Sequence, residues 1–148
     1  MEENYILSVC GMQTVNGSQD KIELETAASY VMRGGSRYIT YKEYDAQNPE
    51  RHYRTTVKVD DKGVVTVMKG GEENHNLILE QGVRHKCEYN TPYGSLTLGV
   101  YTDSVNASLS DSGGELRVKY SIDIELEHAS SNELILNIKE AKGYVSSN

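Results

Sequence analysis

The chain has 148 residues, 37% of them apolar, a net charge of −7 and two cysteines, which fits one closed core and one domain over 1–148 and leaves little for a second. Its Lys and Arg are interleaved with acids instead of gathered on a basic face, which argues against a nucleic-acid partner. The local basic group Arg51, His52, Arg54 and Lys58 reads as a solvated strand edge before it reads as a binding patch. The opening Met1-Glu2-Glu3-Asn4 has no signal-peptide pattern and no run reaches membrane-spanning length, so no membrane association is expected and the expected compartment is the cytoplasm. Cys10 and Cys87 stand singly in strand-like runs and read as two buried thiols, a disulfide being disfavoured in a reducing compartment.

In chain order, the first strand runs from about Tyr5 to Thr14 and is broken by Asn16-Gly17-Ser18. Lys21-Ile22-Glu23-Leu24-Glu25-Thr26 then alternates apolar and charged at period 2 and continues through Ala28, Tyr30 and Met32. A helix would spread Glu23 and Glu25 around the cylinder, whereas a strand separates the two faces cleanly. Gly34-Gly35 marks a turn into the tyrosine-rich strand Arg37 to Tyr44. The segment Asp45 to Glu50 reads as a loop, because Pro49 lacks an amide donor and pushes Asn48 out of helical geometry. Thr55 to Val59 and Val64 to Met68 flank Asp60-Asp61-Lys62-Gly63, a hairpin in which Gly63 takes the positive φ of a G1 bulge. Gly70 to Asn74 ends that arm. Asn76 to Glu80, a Gln81-Gly82 turn and Val83 to Tyr89 follow.

Tyr89-Asn90-Thr91-Pro92-Tyr93-Gly94 is a sharp turn with Pro92 preset at position i+1, and it feeds an alternating strand from Ser95 to Thr102. Glu115 to Glu127 places Leu116, Val118, Tyr120, Ile122, Ile124 and Leu126 on one face of a long strand, after which His128 to Ser131 forms a polar turn. Asn132 to Glu140 is the last strand, with a frayed tail from about Gly143. The pattern predicts an all-β protein of about eight to ten strands in meander order, closed as an up-and-down antiparallel barrel because closure removes exposed edges; a sandwich is the alternative.

The Tyr-x-Thr-Pro-Tyr-Gly order at Tyr89 to Gly94, Gly82 after an apolar strand, the Thr55 to Val59 strand and Gly113-Gly114-Glu115-Leu116 leading to Tyr120 resemble the YwiB-like family of small bacterial proteins of unknown function. The resemblance covers essentially the whole chain. It implies a lipocalin-like (calycin) β-barrel in the cytoplasm, with no assigned activity. True lipocalins carry a Gly-x-Trp signature, and this chain has no Trp.

No nucleophile elbow, Walker loop or dinucleotide fingerprint occurs, and the glycine pairs lack the following helix whose amides would cradle a phosphate. The four histidines show no metal-ligand spacing, so neither metal nor cofactor is expected. Tyrosine stands out, with eleven Tyr and neither Phe nor Trp. Buried Tyr supplies apolar ring area together with a hydroxyl that needs a partner, which suits a small binding pocket. The candidate ligand-binding residues are Tyr41, Glu43, Arg54, Lys69, Tyr89, Tyr93 and Tyr120, on strands bordering a barrel mouth. The leading expectation is a module for a small apolar or amphipathic ligand. The second is a structural or protein-interaction role, a homodimer included, through the Tyr38 to Tyr44 strand. Catalysis by a Glu/Arg/Tyr cluster comes third, with no catalytic residue assigned.

Overall fold

The structure, a computed structural model, describes residues 3–44, 50, 52–70 and 75–141, and for residues 75 and 89–91 the backbone alone. The loop expected at 45–50, apart from Glu50, the turn residues 71–74 and the tail expected to fray lie outside the described residues. All regular elements among the described residues are strands: β1 (Tyr5–Val15), β2 (Ser18–Arg33), β3 (Ser36–Tyr44), β4 (His52–Val59), β5 (Val65–Lys69), β6 (His75–Leu79), β7 (Arg84–Thr91), β8 (Gly94–Ser110), β9 (Gly113–Ile124) and β10 (Glu127–Glu140). They form one antiparallel sheet in the order β6-β5-β4-β3-β2-β1-β10-β9-β8-β7. The sheet curls until its ends nearly meet. Gln81, just past β6, makes a single parallel bridge to Thr102 of β8, Gly82 N–H donates to Thr102 O at 2.8 Å, and Val105 N–H donates to Gln81 Oε1 at 3.0 Å.

Strand β2 joins two unequal walls. Its Ser18–Ala28 portion pairs with β1, whereas Ser29–Arg33 pairs with β3. One wall is therefore made of the long strands β1, β10, β9 and β8 with β7, and the other of β3 to β6, the last two of five residues each. Alternate hairpins fall at alternate ends of such a meander. The turns at 16–17, 92–93 and 125–126 mark what we call the upper end, and those at 34–35, 60–64 and 111–112 the lower.

Period-2 alternation sends one side chain in two to the interior. Leu7, Ile39, Val57, Val65, Leu79, Val100, Leu116, Val118 and Leu136 are essentially without solvent contact, so the middle of the barrel is filled by branched aliphatic side chains. Burying each contributes about 1.5–3 kcal/mol relative to exposure. Two bulges adjust which residues point inward. In β8 the register against β9 slips between Thr102 and Ser104, so Leu98, Val100 and Thr102 face in before the slip and Val105, Ala107 and Leu109 after it. In β10 the slip lies between His128 and Ser130.

These irregularities correct the sequence reading at three points. The strand after Pro92 runs on to Ser110 instead of stopping at Thr102, because the bulge flips the parity of its apolar residues. The long strand β9 stops at Ile124, not Glu127: Glu125 and Leu126 have φ of 52° and 73°, the pair of left-handed residues that a two-residue hairpin turn needs to match strand twist. Side-chain bonds hold these residues in a conformation that L-residues disfavour. Glu125 Oε1 accepts from Thr97 N–H at 3.1 Å, and Asp123 Oδ1 accepts from Leu126 N–H at 3.2 Å. The polar stretch His128 to Ser131, expected as a turn, is the start of β10. The Asp60 to Gly63 hairpin forms as expected, with Gly63 at φ 85° and Asp60 Oδ1 accepting from the amides of Lys62 and Val64, both at 2.9 Å. Cys10 and Cys87 are free and only half-buried.

Tyrosine and charge close the lower end. Tyr30 donates from its hydroxyl to Ser110 O at 2.6 Å, Tyr5 to Asp111 O at 3.0 Å, and the two rings meet edge-to-face at 5.1 Å. The Arg37 guanidinium lies 5.7 Å over the Tyr30 ring and bonds Asp111 Oδ1 at 3.1 Å. Below them the β8–β9 turn approaches its neighbours so closely that a Cβ on Gly114 would overlap Ser108 O and one on Gly113 would overlap Ile138 O. Only glycine fits there.

Candidate functional site

At the upper end, alternation on the short wall converges five side chains inward. Glu43 pairs across to Tyr53, Tyr41 to Thr55, and Thr55 to Lys69. Thr55 has no solvent exposure, and its Oγ1 donates to Glu43 Oε2 at 2.6 Å. Lys69 Nζ stands 3.8 Å from the same oxygen and 5.8 Å over the Tyr53 ring. At that separation Lys69 and Glu43 attract each other without sharing a hydrogen bond, so the ammonium keeps N–H groups to offer. Tyr41 is buried behind them, and burial, then the Glu43 charge, then Tyr53, push its hydroxyl above the ordinary tyrosine range. The phenol therefore stays protonated and is a donor.

Among the described residues, the register also leaves a gap in the wall at this end. Beyond the Ser29–Thr40 pair, β3 runs on to Tyr44 without a ladder to β2, while among the described residues β2 continues upward against β1 alone. Inward-parity residues of the long wall grow progressively more exposed along that stretch: Ala28 is buried, Leu24 half-buried and Ile22 72% exposed.

Of the residues singled out from the sequence, the structure thus brings together Tyr41, Glu43 and Lys69. Arg54 sits on the same strand as Thr55 but on the outer face, opposite Lys42. Tyr120 projects inward from β9 on the far wall, across from Thr102; burial raises its hydroxyl pKa, and Thr102 Oγ1 beside it is buried without a hydrogen-bond partner among the described residues. Tyr93 is at the tip of the β7–β8 turn and 99% exposed. Tyr89 is paired with Leu96 through its backbone, and its side chain lies outside the described residues. Tyr53 and Thr55 were missed, although carrying the Thr55-Val57-Val59 alternation back by one step would have put Tyr53 on the same face.

Outside the barrel, a part-open pocket of about 150 Å³ is bordered by Glu3, Ser29, Thr40, Tyr41, Lys42 and Arg54. Toward the upper end of the long wall, Arg84 and Asp123 form a two-pronged ion pair at 2.9 and 2.7 Å that lies flat over Gly99, where a Cβ would collide with both side chains. Hydrogen bonding from Arg84 holds the Asp123 carboxyl below the usual carboxylate range. Among the described residues no group of three or more His, Cys, Asp or Glu is placed to hold a metal ion.

Comparison with known proteins agrees with this architecture. The uncharacterised β-barrel protein YwiB of Bacillus subtilis (strain 168) is 28% identical over 115 residues, covering 76% of this chain and 78% of that protein. The crystal structure of YwiB from Bacillus subtilis superposes with a TM-score of 0.74 at 23% identity, over 93% of this chain and 91% of that one, which shows a shared fold. The family model described as a domain of unknown function, DUF1934, matches residues 7–136, and the chain therefore belongs to that β-barrel family.

Proposed function

We propose that the protein is a cytoplasmic, lipocalin-like binding module that takes a small amphipathic molecule at the upper end of the barrel. The observation that carries this reading is the asymmetry of the ends. The lower end spends its tyrosine hydroxyls on main-chain carbonyls, while the upper end holds a partly exposed Glu43–Lys69 pair beside the place where the described strands β2 and β3 part. A ligand's polar group would bond Lys69 and the Glu43 oxygen not engaged by Thr55. Its apolar part would lie along Tyr53 and the half-buried inner face of β2 around Leu24. Barrel mouths are a common place for such sites, with few convergent polar groups on an apolar lining.

Native mass spectrometry of protein purified from its own host, together with titration of the amphipathic dye 1-anilinonaphthalene-8-sulfonate, tests the proposal. A co-purifying adduct or saturable dye binding, weakened in Lys69→Met and Glu43→Gln, is expected. Absence of any adduct together with non-saturable dye uptake would sink it.

A second reading has its own observation. Among the described residues the Ser18–Ala28 portion of β2 pairs on one edge only, and Ile22 and Leu126 at the same end are 72% and 80% exposed. Open edges invite pairing with another chain. A protein-interaction role, self-association included, predicts a concentration-dependent sedimentation coefficient that Ile22→Lys abolishes.

A further inference from the structure

We infer that the outer pocket on the short wall is a separate site for a phosphate group. Lys42 and Arg54 are directly opposite each other on β3 and β4 and both point away from the barrel interior, since their neighbours Tyr41, Glu43 and Thr55 point into it. Opposed residues have Cβ atoms about 5 Å apart, and like charges so placed repel. Among the described residues neither cation has an acidic partner in an ion pair. Two cations held side by side are an unfavourable arrangement that an oxyanion between them reverses.

The rest of the pocket suits the same occupant. Ser29 and Thr40 are cross-strand neighbours on the outer face, yet they are only 1% and 8% exposed, so hydroxyls rather than apolar groups form the floor. Thr40 Oγ1 shares a 3.2 Å hydrogen bond with Thr56 Oγ1 in which either can donate. When Thr56 donates, the Thr40 proton is available to the pocket. An Arg fork, a Lys ammonium and the Thr40 hydroxyl arriving from different directions match the several oxygens of a tetrahedral phosphate better than the two of a planar carboxylate. The volume of about 150 Å³ admits a phosphate group and little more, so a larger ligand would leave its remainder in solvent. Glu3 at the rim opposes the anion and keeps the affinity modest.

Free inorganic phosphate and a phosphate monoester present the same group, and titrating each into the full chain separates them. In amide NMR spectra, we expect saturable shifts centred on Ser29, Thr40, Lys42 and Arg54 with inorganic phosphate, glycerol 3-phosphate or both. Saturation by the ester alone assigns the site to a phosphorylated metabolite, and saturation by both to the phosphate group itself. A charge-assisted hydrogen bond is worth about 1.5–3 kcal/mol, so Arg54→Gln and Lys42→Gln should each weaken binding by about tenfold or more. Glu3→Gln should strengthen it. Both cations are exposed, so these variants keep the fold. Glu43→Gln, which alters the barrel mouth, should leave phosphate affinity unchanged, and so the two sites are tested apart. Unsaturable shifts with both probes, or full affinity in the Lys42→Gln/Arg54→Gln double variant, would overturn the assignment.

Discussion

The two ends of the barrel use the same residue types for opposite purposes. At the lower end Tyr5, Tyr30, Arg37 and Asp111 satisfy one another and the β8–β9 turn, leaving a plug. At the upper end Tyr41, Tyr53, Glu43 and Lys69 also cluster, but on one wall only, and among the described residues a gap lies in front of them where β3 and β2 part company. A tyrosine-rich composition therefore does not distinguish a plug from a pocket. What distinguishes them is whether the opposite wall reaches the cluster, and that is set by strand length and by where β2 changes partner.

The largest expected effect breaks the plug. Gly113 and Gly94 share a φ of 123°, but a Cβ at Gly113 runs into Ile138 O while one at Gly94 meets open space. Gly113→Ala should cost about 3 kcal/mol or more in urea denaturation, whereas Gly94→Ala should cost about 1 kcal/mol for its backbone conformation alone. Equal losses would show that packing at the lower end does not matter. Next in size, Tyr30→Phe removes the hydroxyl that donates to Ser110 and should lower stability by about 1 kcal/mol. Tyr93→Phe, at the exposed tip of the other end, should change it by less than about 0.5 kcal/mol.

A third test concerns acid. The folded-state pKa of Asp123 lies below its unfolded value, so the stability it contributes is present above the unfolded pKa, about 3.9, and is lost as pH falls through the folded pKa. Thermal melts of wild type should decline over that window more steeply than those of Asp123→Asn. Parallel curves would mean that the Arg84 pair contributes nothing. Gly99→Ala, which pushes both side chains off the strand, should mimic the Asn variant. The smallest effect is spectroscopic. The Glu43 charge helps raise Tyr41, so Glu43→Gln should move the highest-titrating step toward lower pH in the 295 nm absorbance titration, with stability changed by less than about 1 kcal/mol.

Much of the barrel is legible in the sequence because a half-buried strand writes its period into it. Ile22, Leu24 and Thr26 or Leu116, Val118 and Tyr120 alternate without a break, and Asn16-Gly17 and Gly63 announce their turns. The reading failed where the backbone departs from that period. The bulge near Asp103 hides the second half of β8, since the inward set changes from even to odd numbers there. Glu125-Leu126 carries no turn signature of its own; Asp123 and Thr97, distant or on the wrong side of the strand, hold it. The upper cluster was partly legible, as Tyr41, Glu43 and Lys69 share a face by alternation once β3, β4 and β5 are paired. Arg54 against Thr55 shows the limit: adjacent residues reach opposite sides of the wall, and only the cross-strand register tells which goes where. Tyr120 and Tyr93 were equally plausible as tyrosines, and the fold separates them completely.

The seam at Gln81 has a dynamic consequence. Among the described residues nine ladders, two of them interrupted by a bulge, hold neighbouring strands together, but β6 meets β8 through one bridge and the bonds of Gln81 and Gly82. The barrel is in effect a curled strip fastened by a clasp, and it can part there without giving up a single ladder. Amide exchange should register this as a low-energy opening, fastest at Gly82 and Val105 and well ahead of the amides of β1 and β10, whose release requires the whole wall to come undone.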